Sequence, residues 1–228
     1  MPILVIIPTD GELNELIHAL ESRGYVLKPT ADAKLRKYQV PSLGITFALG
    51  GLGKVQFAVQ TQYLLGSDTW RLVICAGAAG ALTDDIAIGD VVVATETVEH
   101  DIRKVGRPLI PRFIGDNATV ALCRARLPML AGFRVHFGGI ASGDEDIVDT
   151  QRRQECRIAT GALAVAWEGA GGARACAFNQ VPFMEIRGIV DKADQFGPRD
   201  FTFNIRTAMQ NVAATVGAIA GERSNKII

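Results

Sequence analysis

Several short segments of this chain hold residue types that could do chemistry, each just after an apolar run that reads as a strand. Glu12 follows Ile3–Pro8, and Gly77-Ala78-Ala79-Gly80 follows Leu72–Ala76. Glu168 follows Leu163–Trp167, and Asp191 follows Pro182–Val190. Ligands of open α/β sheets gather at the carboxyl ends of strands, so these positions are weighed first. A carboxylate there can move a proton or accept bonds from hydroxyls, or it can simply cap the next helix. The glycines can admit a ligand to the backbone or only close a tight turn. Neither glycine segment (the other is Gly50-Gly51-Leu52-Gly53) fits the dinucleotide fingerprint or the P-loop, and no G-x-S-x-G elbow is present. Cys75, Cys123, Cys156 and Cys176 are scattered without a C-x-x-C pair, and His18, His100 and His136 are dispersed. That spacing predicts buried free thiols and no metal site.

Positioning such segments takes alternating strands and helices, which the chain supplies. After the first strand, Leu13, Leu16, Ile17 and Leu20 fall on one helical face, with Asp10 as the expected N-cap. Ile45–Leu49 reads as a strand. Lys54–Leu65 reads as a helix, with Val55, Ala58, Val59 and Gln62 at helical spacing. Asp90–Thr95 is strand-like after the turn residue Gly89. From Arg103 to Pro128 the pattern weakens around Pro108 and Pro111, leaving a loop and a helix near Ala118–Arg126. Strand Phe133–Ala141, helix Thr150–Thr160, a small-residue helix Gly169–Phe178 and a C-terminal helix complete the series. The last carries Ile205, Met209, Val212, Val216 and Ile219 on one face. The alternation predicts an α/β sandwich, read as one domain over 1–228.

Composition narrows the function classes. The chain has 228 residues, 48% hydrophobic and 21% charged, which excludes disorder and collagen-like structure. Lys plus Arg and Asp plus Glu both number 24, so no electrostatic footprint for nucleic acid or an anionic membrane exists. The run Ile3–Ile7 is too short for a membrane span and lacks a preceding basic region. With the scattered thiols, this predicts a cytoplasmic protein.

Taken together and in order, the segments resemble the nucleoside phosphorylase and nucleosidase superfamily, most of all the 5′-methylthioadenosine/S-adenosylhomocysteine nucleosidases. The resemblance spans nearly the whole chain. It rests on IIPTDGEL, LGGLGKVQFA, VICAGAAGALTDDIAIGDVVVA, IASGDEDI and AVAWEGAGGARACAFNQVPFMEIRGIVDKAD. It implies a three-layer α/β/α sandwich with a central mixed β-sheet, acting on a purine nucleoside without a cofactor.

By resemblance, Asp191 is the general acid that protonates the purine, and Glu168 accepts bonds from the ribose hydroxyls. Glu12 orients and deprotonates the attacking water. Gly77, Ala78 and Gly80 line the nucleoside pocket with backbone, and Ile147 binds the base edge through its main chain. The residues themselves leave other roles open: a salt bridge from Asp191 to Lys192 or Arg187, a first-turn or cap role for Glu168, and an exposed first-turn place for Glu12.

Three positions depart from the family pattern. Asp146 stands where a phenylalanine commonly stacks on the purine, Val190 where a serine precedes the acid, and Trp167 where a methionine precedes the ribose glutamate. These departures predict an altered base preference, with Asp146 accepting from an amino or imino group. The family's phosphorylases commonly hold phosphate with an arginine near the end of the strand before the glycines. Here Ile74 and Cys75 stand there, and Arg71 lies at the strand's opposite end. Water is therefore the expected nucleophile. Arg103, Arg107 and Arg112 keep phosphorolysis open, and a silent nucleoside-binding homologue is the other alternative. Family members form dimers or hexamers, so a homo-oligomer is expected, with the segment near His100-Asp101 as a candidate contact.

Overall fold

The computed structural model describes residues 2–32, 34–102, 110–127 and 132–221. Arg103, Arg107 and Pro108 therefore lie outside the described residues. The strands are β1 (Ile3–Ile7), β2 (Lys28–Pro29), β3 (Lys37–Val40), β4 (Ile45–Leu49), β5 (Leu72–Ala81), β6 (Val91–Glu99), β7 (Arg112–Ile114), β8 (Val135–Ser142), β9 (Ala164–Ala166) and β10 (Phe183–Asp191). The helices are α1 (Asp10–Ser22), α2 (Lys54–Leu65), α3 (Asn117–Arg126), α4 (Thr150–Thr160), α5 (Gly169–Phe178) and α6 (Gly197–Ala220).

All strands belong to one mixed sheet, ordered β10-β6-β8-β9-β5-β1-β4-β3-β2, with β7 beside β6. β5 also pairs with β10, so the strands between them curl into a closed ring while β1, β4, β3 and β2 extend as an open wing. β1 shows why two layers of helices are needed, because successive side chains of a strand point to opposite faces. Ile3, Val5 and Ile7 join a cluster with Leu13 and Leu16 of α1, Cys123 of α3, and Met209, Val212 and Val216 of α6. Leu4 and Ile6 pack instead with Phe57 and Leu64 of α2 and with Ala173 and Cys176 of α5. Each fully buried Leu, Ile or Phe contributes about 1.5–3 kcal/mol to holding these layers. All four cysteines are buried and unpaired.

Several details differ from the sequence reading. The N-cap of α1 is Thr9, not Asp10. The Thr9 hydroxyl reaches the Glu12 backbone N–H while the Glu12 side chain returns to the Thr9 backbone, a capping box that Asp10 could not form. α2 buries Phe57, Thr61 and Leu64, and leaves Val55 and Val59 exposed. Gly77–Gly80 is not a turn but the second half of β5, because β10 runs parallel along it and β9 pairs with its end. β2, β3 and β7 were not anticipated.

Candidate active site

A cleft of about 320 Å³ opens where β1, β5, β9 and β10 end or turn away. It is lined by Glu12, Ala78, Gly80, Asp146, Ile147, Trp167, Glu168, Val190 and Asp191, together with Thr9, Leu52, Glu145, Arg187 and Phe201. Of the residues that the resemblance or its departures place at the nucleoside, Gly77 is the one that stands behind the wall.

The α1 capping box brings Glu12 to the cleft. The hydroxyl and N–H of Thr9 donate to Glu12 Oε2 at 2.6 and 3.0 Å, and the Ala78 N–H donates to Oε1 at 2.7 Å. Glu12 is thus both a first-turn residue and a buried one, 4% exposed, which sets aside the alternative of an exposed first-turn place. Burial first, then the charge of Glu168, pushes its carboxyl above the ordinary range, against the bonds from Ala78 and Thr9.

Glu168 occupies the N-cap position of α5, yet its side chain does not cap. Oε1 accepts from the Gly53 N–H at 3.3 Å and Oε2 from Arg187 Nη2 at 3.2 Å. Arg187 is 1% exposed, with Nη1 donating to the Ala78 carbonyl at 3.3 Å and both Nε and Nη2 donating to Glu185.

Asp191 closes β10 just past a register shift at Val190, a bulge that re-aims the strand end. Its Oδ1 accepts from the Ala193 N–H at 2.7 Å, and Ala193 holds a left-handed φ of 49°. Such a conformation in a non-glycine residue costs about 1 kcal/mol or more and gathers at functional sites. Neither proposed salt bridge forms: Lys192 turns to the Ile86 carbonyl, and Arg187 to Glu168 and Glu185. Burial raises the Asp191 carboxyl above its ordinary range, and the charges of Asp194, Asp200 and Asp146 push the same way.

The glycines make room for these acids. A Cβ on Gly77 would stand 2.6 Å from Glu12 Oε1 and 2.9 Å from Arg187 Nη1, so Gly77 seats the charged groups and does not face the cleft. A Cβ on Gly80 would stand 2.6 Å from Asp191 Oδ1. On the remaining wall, Asp146 is exposed, Ile147 and Val190 are buried, and Trp167 is half-buried, its carbonyl held by the Ser142 hydroxyl at 2.7 Å.

Of the arginines considered as phosphate ligands, the described ones, Arg71 and Arg112, do not line the cleft. Arg71 bonds through its N–H to Pro2 at the far end of β5, and Arg112 pairs with Glu96. The His100 ring is buried 3.8 Å from Glu145 and stays off the cleft wall. Sequence reasoning missed Thr9, Phe201 and Glu185. The T-x-x-E spacing of Thr9 and Glu12 was a legible sign of the first.

A strand-end cleft that gathers carboxyl groups on an α/β/α scaffold defines a protein built to act on a small polar ligand. More specifically, the chain belongs to the phosphorylase superfamily, whose family model matches residues 2–221. Among its relatives is the 5′-methylthioadenosine/S-adenosylhomocysteine nucleosidase of Shewanella denitrificans, 29% identical over 97% of this chain and 100% of that one. The nucleosidase of the same name from a Marinomonas species is 31% identical over 71% of this chain and 74% of its own. Among solved structures, that nucleosidase from Neisseria meningitidis, in complex with methylthio-immucillin-A, superposes with a TM-score of 0.85 at 29% identity. The superposition covers 96% of this chain and 98% of the other. The futalosine hydrolase of Helicobacter pylori shares the fold, with a TM-score of 0.83 at 22% identity over 97% of this chain and 98% of its own.

Proposed function

We propose that the protein hydrolyses the N-glycosidic bond of a purine nucleoside of the 5′-methylthioadenosine or S-adenosylhomocysteine type, releasing free base and a ribose derivative. One observation carries the reading: Asp191, Glu168 and Glu12 reach a single cleft from three separate parts of the fold. Breaking this bond builds positive charge on the sugar and negative charge on the base. The catalyst must therefore supply a proton, a sugar anchor and a placed nucleophile.

Asp191, whose hold on a proton burial and acidic neighbours strengthen, donates a proton to the base. Glu168 accepts from the vicinal hydroxyls, and its charge favours the cationic sugar. Glu12, fixed by Thr9 and Ala78, accepts the proton of the attacking water. Its upward shift makes the ionised form a better base. Main-chain groups of Ile147 bind the base edge, and the backbone at Ala78 and Gly80 lies against the nucleoside. Trp167 and Phe201 supply aromatic surface, while Asp146 accepts from an amino or imino group of the base, widening the preference beyond adenine.

Among the described residues lining the cleft, Arg187 is the one cation, and it is engaged by Glu168 and Glu185. A site so furnished favours water over phosphate. The whole chain, 1–228, acts as one domain, in the cytoplasm, where unpaired thiols persist. It works as a homo-oligomer: Val55, Val59 and Tyr63 form an apolar stripe along the exposed face of α2, continued by Leu52 at the cleft.

The test is release of base from methylthioadenosine, S-adenosylhomocysteine, adenosine, guanosine and inosine, with and without phosphate. Release at the same rate in both conditions is the expected outcome. Release only with phosphate replaces the reading by phosphorolysis, and none across the panel makes the chain a binding homologue. High efficiency on methylthioadenosine alone removes the role given to Asp146 in base choice.

A further inference from the structure

Glu185 does not touch the cleft, yet it is fully buried behind the residues that do, at 0% exposure. It sits two residues before Arg187 on β10, so both side chains leave the same face of the strand. Arg187 Nε and Nη2 donate to Glu185 Oε1 at 3.1 and 3.0 Å, and the Thr97 hydroxyl of β6 donates to Oε2 at 2.5 Å. The fold makes space for this carboxyl: a Cβ on Gly169, next to Glu168, would stand 2.1 Å from it.

A buried ion pair is a poor source of stability, since desolvation offsets its attraction. What this pair does supply is orientation. A guanidinium presents donors along several edges and seeks two-point contact with carboxylates. With its Nε–Nη2 edge held by Glu185, Arg187 gives Glu168 a single contact at 3.2 Å and turns Nη1 to the Ala78 carbonyl. Released from Glu185, the same guanidinium would fork onto Glu168 or Glu12 and occupy their acceptor positions.

We infer that Glu185 is a positioning residue of the reaction: by holding Arg187 side-on, it leaves Glu168 free to accept from the ribose hydroxyls and Glu12 free to accept from the attacking water. The inference rests on the roles given above to Glu168 and Glu12. The groups facing Glu12 are Glu168 beside α5, Arg187 of β10 and Cys75 of β5, with Thr9 at its own cap. Removing the Glu185 charge frees Arg187 to favour ionised Glu12.

The test compares E185Q, which keeps shape and one acceptor, with E185L, which keeps only bulk. Melting temperature, kcat, KM and the pH profile of kcat/KM are measured for each. In E185L, kcat falls about a hundredfold, the scale of a small misplacement of catalytic groups. E185Q falls less, and its acid limb moves to lower pH. If E185L does not fold, E185Q decides. A change in melting temperature with wild-type kcat and an unmoved acid limb in E185Q overturns the inference, because packing alone would account for Glu185. The controls E12Q and E168Q separate the two readings: near-wild-type rates in both overturn the site assignment itself, whatever Glu185 does.

Discussion

Glu12, Glu168 and Glu185 surround one guanidinium, that of Arg187, in a space nearly sealed from water. Three ionised carboxylates against one cation leave excess negative charge in a low dielectric, which makes each harder to ionise. Burial accordingly raises both Glu12 and Glu185. Asp191, farther along the cleft, is raised by burial and by the charges of acidic neighbours. The roles proposed for the two oppose each other in pH. With Glu12 working as an ionised base, kcat/KM should fall as pH drops through its pKa. With Asp191 working as a protonated acid, kcat/KM should fall as pH climbs through its own. In D191N the amide oxygen can still accept from the Ala193 N–H, so the local fold is kept. The expected loss in kcat is about 10²–10⁴-fold, the usual worth of a general acid. The residual rate should keep the acid limb and lose the alkaline one. An alkaline limb that survives in D191N assigns the proton to another group.

At the scale of elements, the α1 terminus joins a helix cap and a candidate catalytic carboxylate through the same atoms. The Thr9 hydroxyl caps the Glu12 N–H and donates to the Glu12 carboxylate. T9A should cost about 1 kcal/mol as a lost cap, and so lower the melting temperature by about 2–4 °C. It should also lower kcat about tenfold by loosening Glu12, and T9S should recover both. A stability loss with unchanged kcat would confine Thr9 to capping. Local signals of this kind made much of the fold legible. Lys54–Leu65, Thr150–Thr160 and Gly169–Phe178 are helices at the bounds their spacing predicts, since turn residues such as Gly53 and Gly161 flank the first two. Elements that exist only through pairing were illegible. Lys28–Pro29 and Arg112–Ile114 are strands because β3 and β6 lie beside them. Gly77–Gly80 is strand because β10 and β9 occupy its flanks, against the turn preference of glycine. The carboxylates Glu12, Glu168 and Asp191 could be singled out because each follows an apolar run. Glu185 was hidden inside such a run, where its only sign was a second charge, Arg187, two residues on. The bulge at Val190 and the left-handed Ala193 that aim Asp191 leave no sequence signature.

For the whole molecule, the closed ring of strands removes one sheet edge, and among the described residues the β2 side and the short β7 remain as edges. The outer face of α2 is a different kind of exposure. Val55 is 75% exposed and Val59 64%, one helical turn apart, and Leu52 at 54% joins them to the cleft. Isolated exposed apolar residues are ordinary, but a contiguous stripe ending at a binding cleft calls for a cover. A balanced charge of 24 against 24 offers little repulsion to a second copy of the chain. A copy seated on α2 would bury the stripe and narrow the cleft mouth at Leu52, shielding Glu12 and Asp191 from bulk water. A stable pair needs about 1,200–2,000 Å² of buried surface, so the contact must extend beyond α2 itself. V59D places a charge at the centre of the stripe while leaving the buried face of α2, Phe57 and Leu64, intact. Sedimentation should show wild type as a dimer or larger assembly and V59D as a monomer of unchanged helicity. Its kcat/KM should fall about tenfold or more as the cleft opens to water and its electrostatics weaken. Wild type sedimenting as a monomer at micromolar concentration would remove the assembly. A monomeric V59D with full activity would show that one copy holds the complete site.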